Sequence, residues 1–572
     1  MSYWYLYVIL AYFLVLGVLN FLRARQVSKR EDFMVAGRKL PMTIMVFTLI
    51  CTWIGSGTFI AGAEYAAEAG WSSMWMPAGA WIGIVIIYFL AARIRTFGQF
   101  TVGDILEARY GKAARFLGAV CIVIAFTTIV SYQFRAGGYI LNVASRGAIS
   151  VETGQAIAAG FVILFTALGG MVAVAHTDLP NGIIIVLACC AAVPFTVAAA
   201  GGWTGGIAEL PSTHVQVFAE DFGRFPALKA ASYCLATLLL LMGIQSMYQK
   251  FYSARSPSDA RRAVAIWIVG TIVVEVVVIV IAIYAASLHW SEIRAFKATV
   301  AVKEEVKAGA LGADGVMARI EELVAADEKA GRLDAGQAGE ARAILARDLA
   351  PLSGRKDAIL GATIGTDPRS IVLVAAQDTI RSGGIGILVG LLLLAAACAV
   401  VLSTGMNYLL SPSTNVIRDI WEKTMGRKVE EKKALVLQRV FVVVLGLCAF
   451  LMIWVPTVLH SDISVLRYAY FAYTMYGVTI TPALLAALAW KRATRAGGFA
   501  SIVTGASATI LLDLIVPNAF PGCMRGSDPF GIPSIFVALA ASVTSLVVVS
   551  LLTPPPDRET LEKLFPREAG KK

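Results

Sequence analysis

Charge is scarce in this chain of 572 residues: only 15% are Asp, Glu, Lys or Arg, while 58% are hydrophobic. A soluble protein of this length carries nearer a quarter charged residues, so a water-soluble globule is excluded. Histidine is scarcer still, and His176, His214, His289 and His460 show no ligand spacing, which argues against an imidazole-based metal site. Cys51, Cys121, Cys189, Cys190, Cys234, Cys398 and Cys448 lie in apolar stretches, where cysteine acts as a small hydrophobe. Only Cys523 falls in a polar loop, so no disulfide framework is expected. No P-loop, dinucleotide fingerprint or nucleophile–base constellation occurs. The stretch after Leu552, TPPPDRETLEKLFPREAGKK, is not expected to house a signalling or nucleotide-binding domain. A membrane enzyme is the least expected class.

What the chain has is long apolar runs, at roughly 2–22, 42–67, 72–94, 116–143, 155–173, 180–200, 229–249, 263–289, 384–410, 434–455, 464–490, 498–516 and 533–553. Each is long enough to cross a hydrocarbon core as a helix, which predicts an all-α polytopic membrane protein of about thirteen spans. The first run has no basic start and no small-residue cleavage site, so it is expected to remain as a span.

The net charge of +11 is a topology signal rather than a nucleic-acid footprint. Basic residues cluster in alternate loops: Arg23, Arg25, Lys29, Arg30, Arg38 and Lys39; Arg93, Arg95, Arg109, Lys112 and Arg115; Lys250, Arg255, Arg261 and Arg262. The pattern continues with Arg418, Lys423, Arg427, Lys428, Lys432 and Lys433, then Lys491, Arg492 and Arg495. The intervening short loops hold little beyond Arg146, Arg224, Lys229 and Arg525. By the positive-inside rule this predicts N-out, C-in. Residues 291–383 are polar and Ala/Glu/Lys-rich, with helical stretches such as VMARIEELVAADEKAGRL, and are expected to form an extracytoplasmic helical cap.

Two spans carry polar interruptions. In the second, Gly55 and Gly57 alternate with Ser56 and Thr58 within TWIGSGTF. Such a stretch either lets helices pack closely or unwinds beside a polar cavity, freeing carbonyls for a hard cation. In the ninth, Ser403 and Thr404 place adjacent hydroxyls deep in the membrane, followed by Asn407. Alone, such hydroxyls usually bond back to their own helix.

Seven stretches in order resemble the sodium:solute symporter family: EDFMVAGRKLP, TWIGSGTF, FTVGDILEARYG, FTALGGMVAVAHTD, YQKFYSARSPSDARRA, LSTGMNYLLSPSTNVIRDI and TPALLAALAWKRATRAGG. The resemblance covers roughly residues 31–500. It implies a leucine-transporter-type core of two inverted five-helix repeats, at 42–200 and 229–490, preceded by one helix (1–23) and followed by two (498–553) and a cytoplasmic tail (554–572). It also implies a sodium site formed by the carbonyls of Cys51, Ile54 and Val400 and the hydroxyls of Ser403 and Thr404, with Asp178 nearby. Thr177 and Asp178 could equally cap a helix starting at Pro180. The chain departs from the family at Pro180-Asn181, and Met406 and Asn407 stand where some members bind a second sodium.

Arg135 falls within the fourth span, where an ionisable group is functional by default. The resemblance implies that it pairs with a substrate carboxylate as a bidentate fork, with Ser56, Thr58, Gln133 and Phe134 as neighbouring contacts. The alternative is an internal ion pair, with Glu64 or Glu275 as candidate partners; Glu275 and Asp513 receive no site role.

The expected function is sodium-coupled import of a small organic acid by alternating access, in a multi-pass inner or plasma membrane protein. Monocarboxylates, pantothenate-like or sialic-acid-like molecules and amino acids all fit. A carrier of a neutral sugar or polyol, with Arg135 structural, is the alternative; a transporter-like sensor is a further one. Neither nucleic acid nor an obligatory protein partner is expected. One cation crossing 100 mV yields about 2.3 kcal/mol, and a tenfold gradient adds about 1.4 kcal/mol. A monoanion moved with one sodium would forgo the voltage contribution.

Overall fold

A chain whose apolar residues run in blocks of twenty must satisfy its backbone polar groups within each block, and it does so as helix. The structure, a computed structural model, describes residues 4–97, 100–223, 225–427, 429–458, 465–525 and 528–564. Arg224, Lys428, His460 and residues 565–572 of the tail lie outside the described residues. Among the described residues, eleven helices are long and apolar enough to cross a bilayer, and Met42–Trp53 is a shorter apolar helix. The two longest, Gly57–Phe97 (41 residues) and Val151–Ala199 (49 residues), contain sharp turns at Gly70 (φ +62°) and Gly170 (φ +52°).

The Gly170 turn corrects one expected boundary. The helix runs straight through Thr177, Asp178 and Pro180 instead of starting there. Pro180 removes a single intrahelical hydrogen bond, whereas only glycine takes a positive φ at low cost. A side chain at Gly170 would also collide with Phe33, whose Cδ2 lies 2.5 Å from where a Cβ would stand. Thr177 bonds back to Ala173 O (3.1 Å) and Val174 O (3.0 Å), so neither residue caps, and the Asp178 carboxylate is left for the interior.

Burial separates centre from periphery. The Ile385–Thr424 and Val465–Ala489 runs are 72% and 78% buried in their apolar windows, against 28% for both Tyr5–Ala24 and Ser534–Leu552. The latter two therefore pack on the outside of the bundle.

The loops sort into two ends. At one, Leu40 bridges Ala254, Arg95 donates to Ala254 O (2.6 Å), Arg30 pairs with Glu422, and Arg109 donates to Trp490 O (3.0 Å). Here Thr101 and Asp104 cap the Val102–Tyr110 helix reciprocally, and buried Arg115 joins Asp104, Glu107 and Asp419 into one cluster. The basic loops thus gather at a single end. At the other, the insert forms the Trp290–Lys307, Val316–Lys329, Ala335–Asp348 and Ile371–Arg381 helices. It is tied down by Lys297 to Glu68 (2.7 Å), Arg332 to Glu220 (2.8 Å) and Gln337 to Glu209 O (2.8 Å).

His289, at the junction of bundle and insert, donates from Nε2 to Asp378 (2.7 Å) with Glu292 at 3.4 Å from Nδ1. Burial opposes its charge, but the hydrogen bonds to the two carboxylates outweigh it and raise the imidazole from 6.5 to about 9. A group whose folded value is raised contributes stability in full below its unfolded value and loses it as pH climbs through the folded one. Hydrogen exchange in the Trp290–Lys307 helix should therefore accelerate between pH 6.5 and 9, after correction for intrinsic rates, by up to roughly a hundredfold. His289→Ala should abolish that pH dependence.

Candidate functional site

The polar interruption of the second span is a true break. The Met42–Trp53 helix ends at Ile54 (φ −73°, ψ 93°), and helical geometry resumes at Gly57 as a wide turn over Gly57–Gly62. Both Thr58 and Phe59 donate to Gly55 O (3.0 Å each), which turns their N–H groups away from the carbonyls before the break. The hydroxyl of Thr404, from the Ile385–Asn415 helix, bonds instead to Cys51 O (2.8 Å) and Ile54 O (3.1 Å). Gly55 permits that approach, because a methyl there would stand 2.7 Å from Thr404 Cγ2.

One residue earlier, Ser403 donates to Asp178, as does Thr48. Asn407, one turn on, donates to Asp178 Oδ2 (3.1 Å) and Ser403 O (3.0 Å), and Cys51 Sγ lies 3.3 Å from Asp178 O. The structure therefore brings Cys51, Ile54, Ser403, Thr404 and Asp178 together, all buried, with Val400 one turn before Thr404 on the same helix. The hydroxyls bond across to other helices, so the self-bonded alternative does not describe them. Two carbonyls at a helix break and two hydroxyls, backed by one carboxylate, form a hard, oxygen-only donor set suited to an alkali cation.

Lys250 corrects another expectation. Its place in a basic inner cluster is not where its charge goes: it is fully buried and its ammonium donates to Asn407 Oδ1. The Asn407 amide thus links Lys250 to Asp178, which supplies the opposite charge a buried carboxylate needs. With its oxygen taken by Lys250, Asn407 has little to offer a second ion. Asn181, the departure from the family pattern, accepts from Tyr12 (2.6 Å), which ties the first helix to this region.

A second interruption was not read from the sequence. The Pro226–Gly243 and Gln245–Ser253 helices meet at Ile244 (φ −64°, ψ 119°). The Tyr476 hydroxyl spans this break, donating to Gly243 O (2.9 Å) and accepting from Gln245 N–H (2.9 Å). The signal was a glycine followed by polar Gln245 and Ser246 inside an apolar run.

Beside the first break lies a small, partly open cavity whose walls include Trp53, Gly57, Thr58, Thr237, Glu275 and Tyr473. Of the residues expected to touch substrate, only Thr58 lines it. Ser56 sits at the break, its N–H donating to Gln133 Oε1 (3.1 Å) and its buried hydroxyl without a partner. Phe134 is packed in the apolar core. Arg135 pairs with Glu152 (3.2 Å) and faces the Tyr139 ring (5.3 Å), so its partner is neither Glu64 nor Glu275. Glu152 stands in the first turn of the next helix, within reach across the connecting loop. Glu275, given no role from the sequence, accepts from Trp53 Nε1 (2.9 Å) and Trp81 Nε1 (2.6 Å).

The sodium:solute symporter family profile matches residues 33–308 and 379–505. The chain is 24% identical over 560 residues to the high-affinity proline transporter PutP of Bacillus subtilis, covering 96% of this chain and 98% of that protein. It is likewise 24% identical over 571 residues to a sodium/proline symporter of Staphylococcus aureus, covering 97% and 94%. In fold it is similar to a sodium-coupled sialic acid symporter solved substrate-bound and outward-open, with a TM-score of 0.68 at 13% identity over 97% of this chain and 99% of that one. The shared fold has a leucine-transporter-type core.

If the Thr404 cluster binds sodium, Thr404→Ala and Asp178→Asn should each raise the sodium concentration needed for half-maximal thermal stabilisation. For Asp178, which holds a ligand rather than the ion alone, the expected loss is roughly 10–100-fold. Stabilisation follows mass action, so a thermal-shift titration with potassium as the control measures it.

Proposed function

The chain belongs to the sodium:solute symporter family, and from that premise we propose that the small organic solute it moves with sodium carries a carboxylate. As a family member it is a multi-pass plasma-membrane protein that couples solute movement to sodium. In this reading sodium takes the carbonyls of Cys51, Ile54 and Val400 and the hydroxyls of Ser403 and Thr404, with Asp178 behind them. The solute takes the cavity bounded by Gly57 and Thr58.

The observation that carries this reading is the pair of contacts from Thr404 Oγ1 to Cys51 O (2.8 Å) and Ile54 O (3.1 Å). They join two helices at the break that also supplies the cavity wall. An ion bound there would fix the Ile54–Gly57 turn and thereby shape the solute pocket, which is how one binding event can favour the other. Transport then proceeds by alternating access, with the insert-bearing end outside and the basic end inside, consistent with the positive-inside rule.

In this reading Arg135, which does not line the cavity while paired with Glu152, exchanges Glu152 for the solute carboxylate when the site rearranges during transport. Glu152 is the partner open to displacement, because its side chain is 45% exposed whereas that of Arg135 is 13% exposed. The proline carriers among the relatives move a solute with a carboxylate, which fits. A neutral solute, with Arg135 only bracing Glu152, is the competing reading.

The test is uptake of labelled proline, lactate and galactose into proteoliposomes with sodium or potassium outside. Sodium-dependent uptake of a carboxylate is expected. Arg135→Gln should weaken it by roughly tenfold or more, the scale of a lost charge-assisted hydrogen bond, while Glu152→Gln, which frees the guanidinium, should not. Equal effects of the two substitutions would make the pair structural and favour the neutral solute.

A further inference from the structure

We propose that Glu275 is the counter-charge for an ammonium group on the carried solute, so that the cavity selects a zwitterionic amino or imino acid over an acid lacking nitrogen. This deepens the proposed carboxylate reading and rests on it for the other end of the solute.

Glu275 sits in the middle of TIVVEVVVIV, on the Pro257–Leu288 helix, where an ionisable side chain has no reason to be unless it acts. It is 4% exposed and forms part of the wall of the cavity the solute would fill. Each oxygen accepts one indole N–H: Oε1 from Trp53 at 2.9 Å and Oε2 from Trp81 at 2.6 Å. An ionised carboxylate can accept both bonds, and an ammonium beside it would favour that form. An ionised carboxylate has about four acceptor positions, so roughly two remain open.

Among the described residues the hydrogen-bond partners of Glu275 are these two neutral indoles, and no ion pair to it is formed. This contrasts with Asp178, whose charge is answered by Lys250 through Asn407. A buried carboxylate without a cation is costly, and a solute ammonium entering the cavity would remove that cost. The rings of Trp53 and Tyr473 in the same wall add aromatic faces of the kind that attract cations.

The energetics of coupling point the same way. A monoanion carried with one sodium moves no net charge and gains nothing from the voltage. A zwitterion carried with one sodium moves one positive charge and can use both voltage and gradient, enough for accumulation of several-hundred-fold. With Asn407 committed to Lys250, an ammonium on the solute does the work that a second cation would otherwise do.

The experiment is a thermal-shift titration of the purified full chain in sodium, using matched pairs: L-proline with cyclopentanecarboxylate, and L-alanine with propionate. Pyrrolidine and galactose complete the set. The wild-type protein should be stabilised by at least one amino or imino acid and at least tenfold more weakly by its nitrogen-free partner. Glu275→Gln should erase that preference, Glu275→Asp should keep part of it, and neither should alter the shift produced by sodium alone. The proposal is overturned if no ammonium-bearing ligand binds, if the nitrogen-free partner binds equally well, or if Glu275→Gln leaves the preference intact. An acid that binds without nitrogen would overturn it while sparing the carboxylate reading. Pyrrolidine binding as tightly as proline would do the reverse.

Discussion

The hydrocarbon core leaves no backbone carbonyl without a partner, and the candidate site depends on a helix break that hands two carbonyls to a side chain of another helix. The helix break at Ile54–Ser56 turns the following amides toward Gly55 O, and the Thr404 hydroxyl takes up Cys51 O and Ile54 O. Unwound backbone is tolerated at that depth only beside protein or a polar cavity. Both conditions hold: Thr404 on one side, and the space lined by Gly57, Thr58 and Glu275 on the other. The same short segment can therefore face an ion and a solute, which makes coupling a property of one turn of chain.

Charge is handled differently at three depths. At the basic end, Arg115, Asp104, Glu107 and Asp419 are locked into a buried cluster that pins the Val102–Tyr110 helix to the end of the Ser403/Thr404 helix. In the middle, Asp178 and Lys250 answer each other through an amide. Toward the insert, Glu275 meets only indoles, while Arg135 has a half-exposed partner. Of these groups Glu275 lines the cavity, where a ligand would complete its electrostatics.

Much of this was legible in the sequence because its signals are local. Glycines alternating with hydroxyls marked the stretch where close packing or a break could stand, the family resemblance joined it to the Ser403-Thr404 pair, and the loop charges predicted which loops share a side. What stayed hidden depends on contacts between distant segments. Lys250 reads as one more inner basic residue because nothing near it shows that its helix resumes after Ile244 and reaches Asn407. Arg135 has several plausible carboxylates by sequence, and only the turn after its helix brings Glu152 within 3.2 Å. The helix boundary near Pro180 was misplaced because proline is the stronger local breaker by rule, while the actual turn at Gly170 is set by Phe33 packing against it. Glu275 was visible as an oddity but not as a wall of a cavity, since Trp53 and Trp81 lie about two hundred positions away, 222 and 194 residues along the chain.

The central claim is that ion and solute occupy one connected site and therefore cross together. Entry of radioactive sodium into proteoliposomes, measured with no electrical or chemical driving force other than a gradient of a stabilising solute, tests it most directly. The account predicts that the solute gradient drives sodium uphill, one ion per solute molecule, and that potassium does not follow. Solute entry at full rate with sodium uptake unchanged would contradict it.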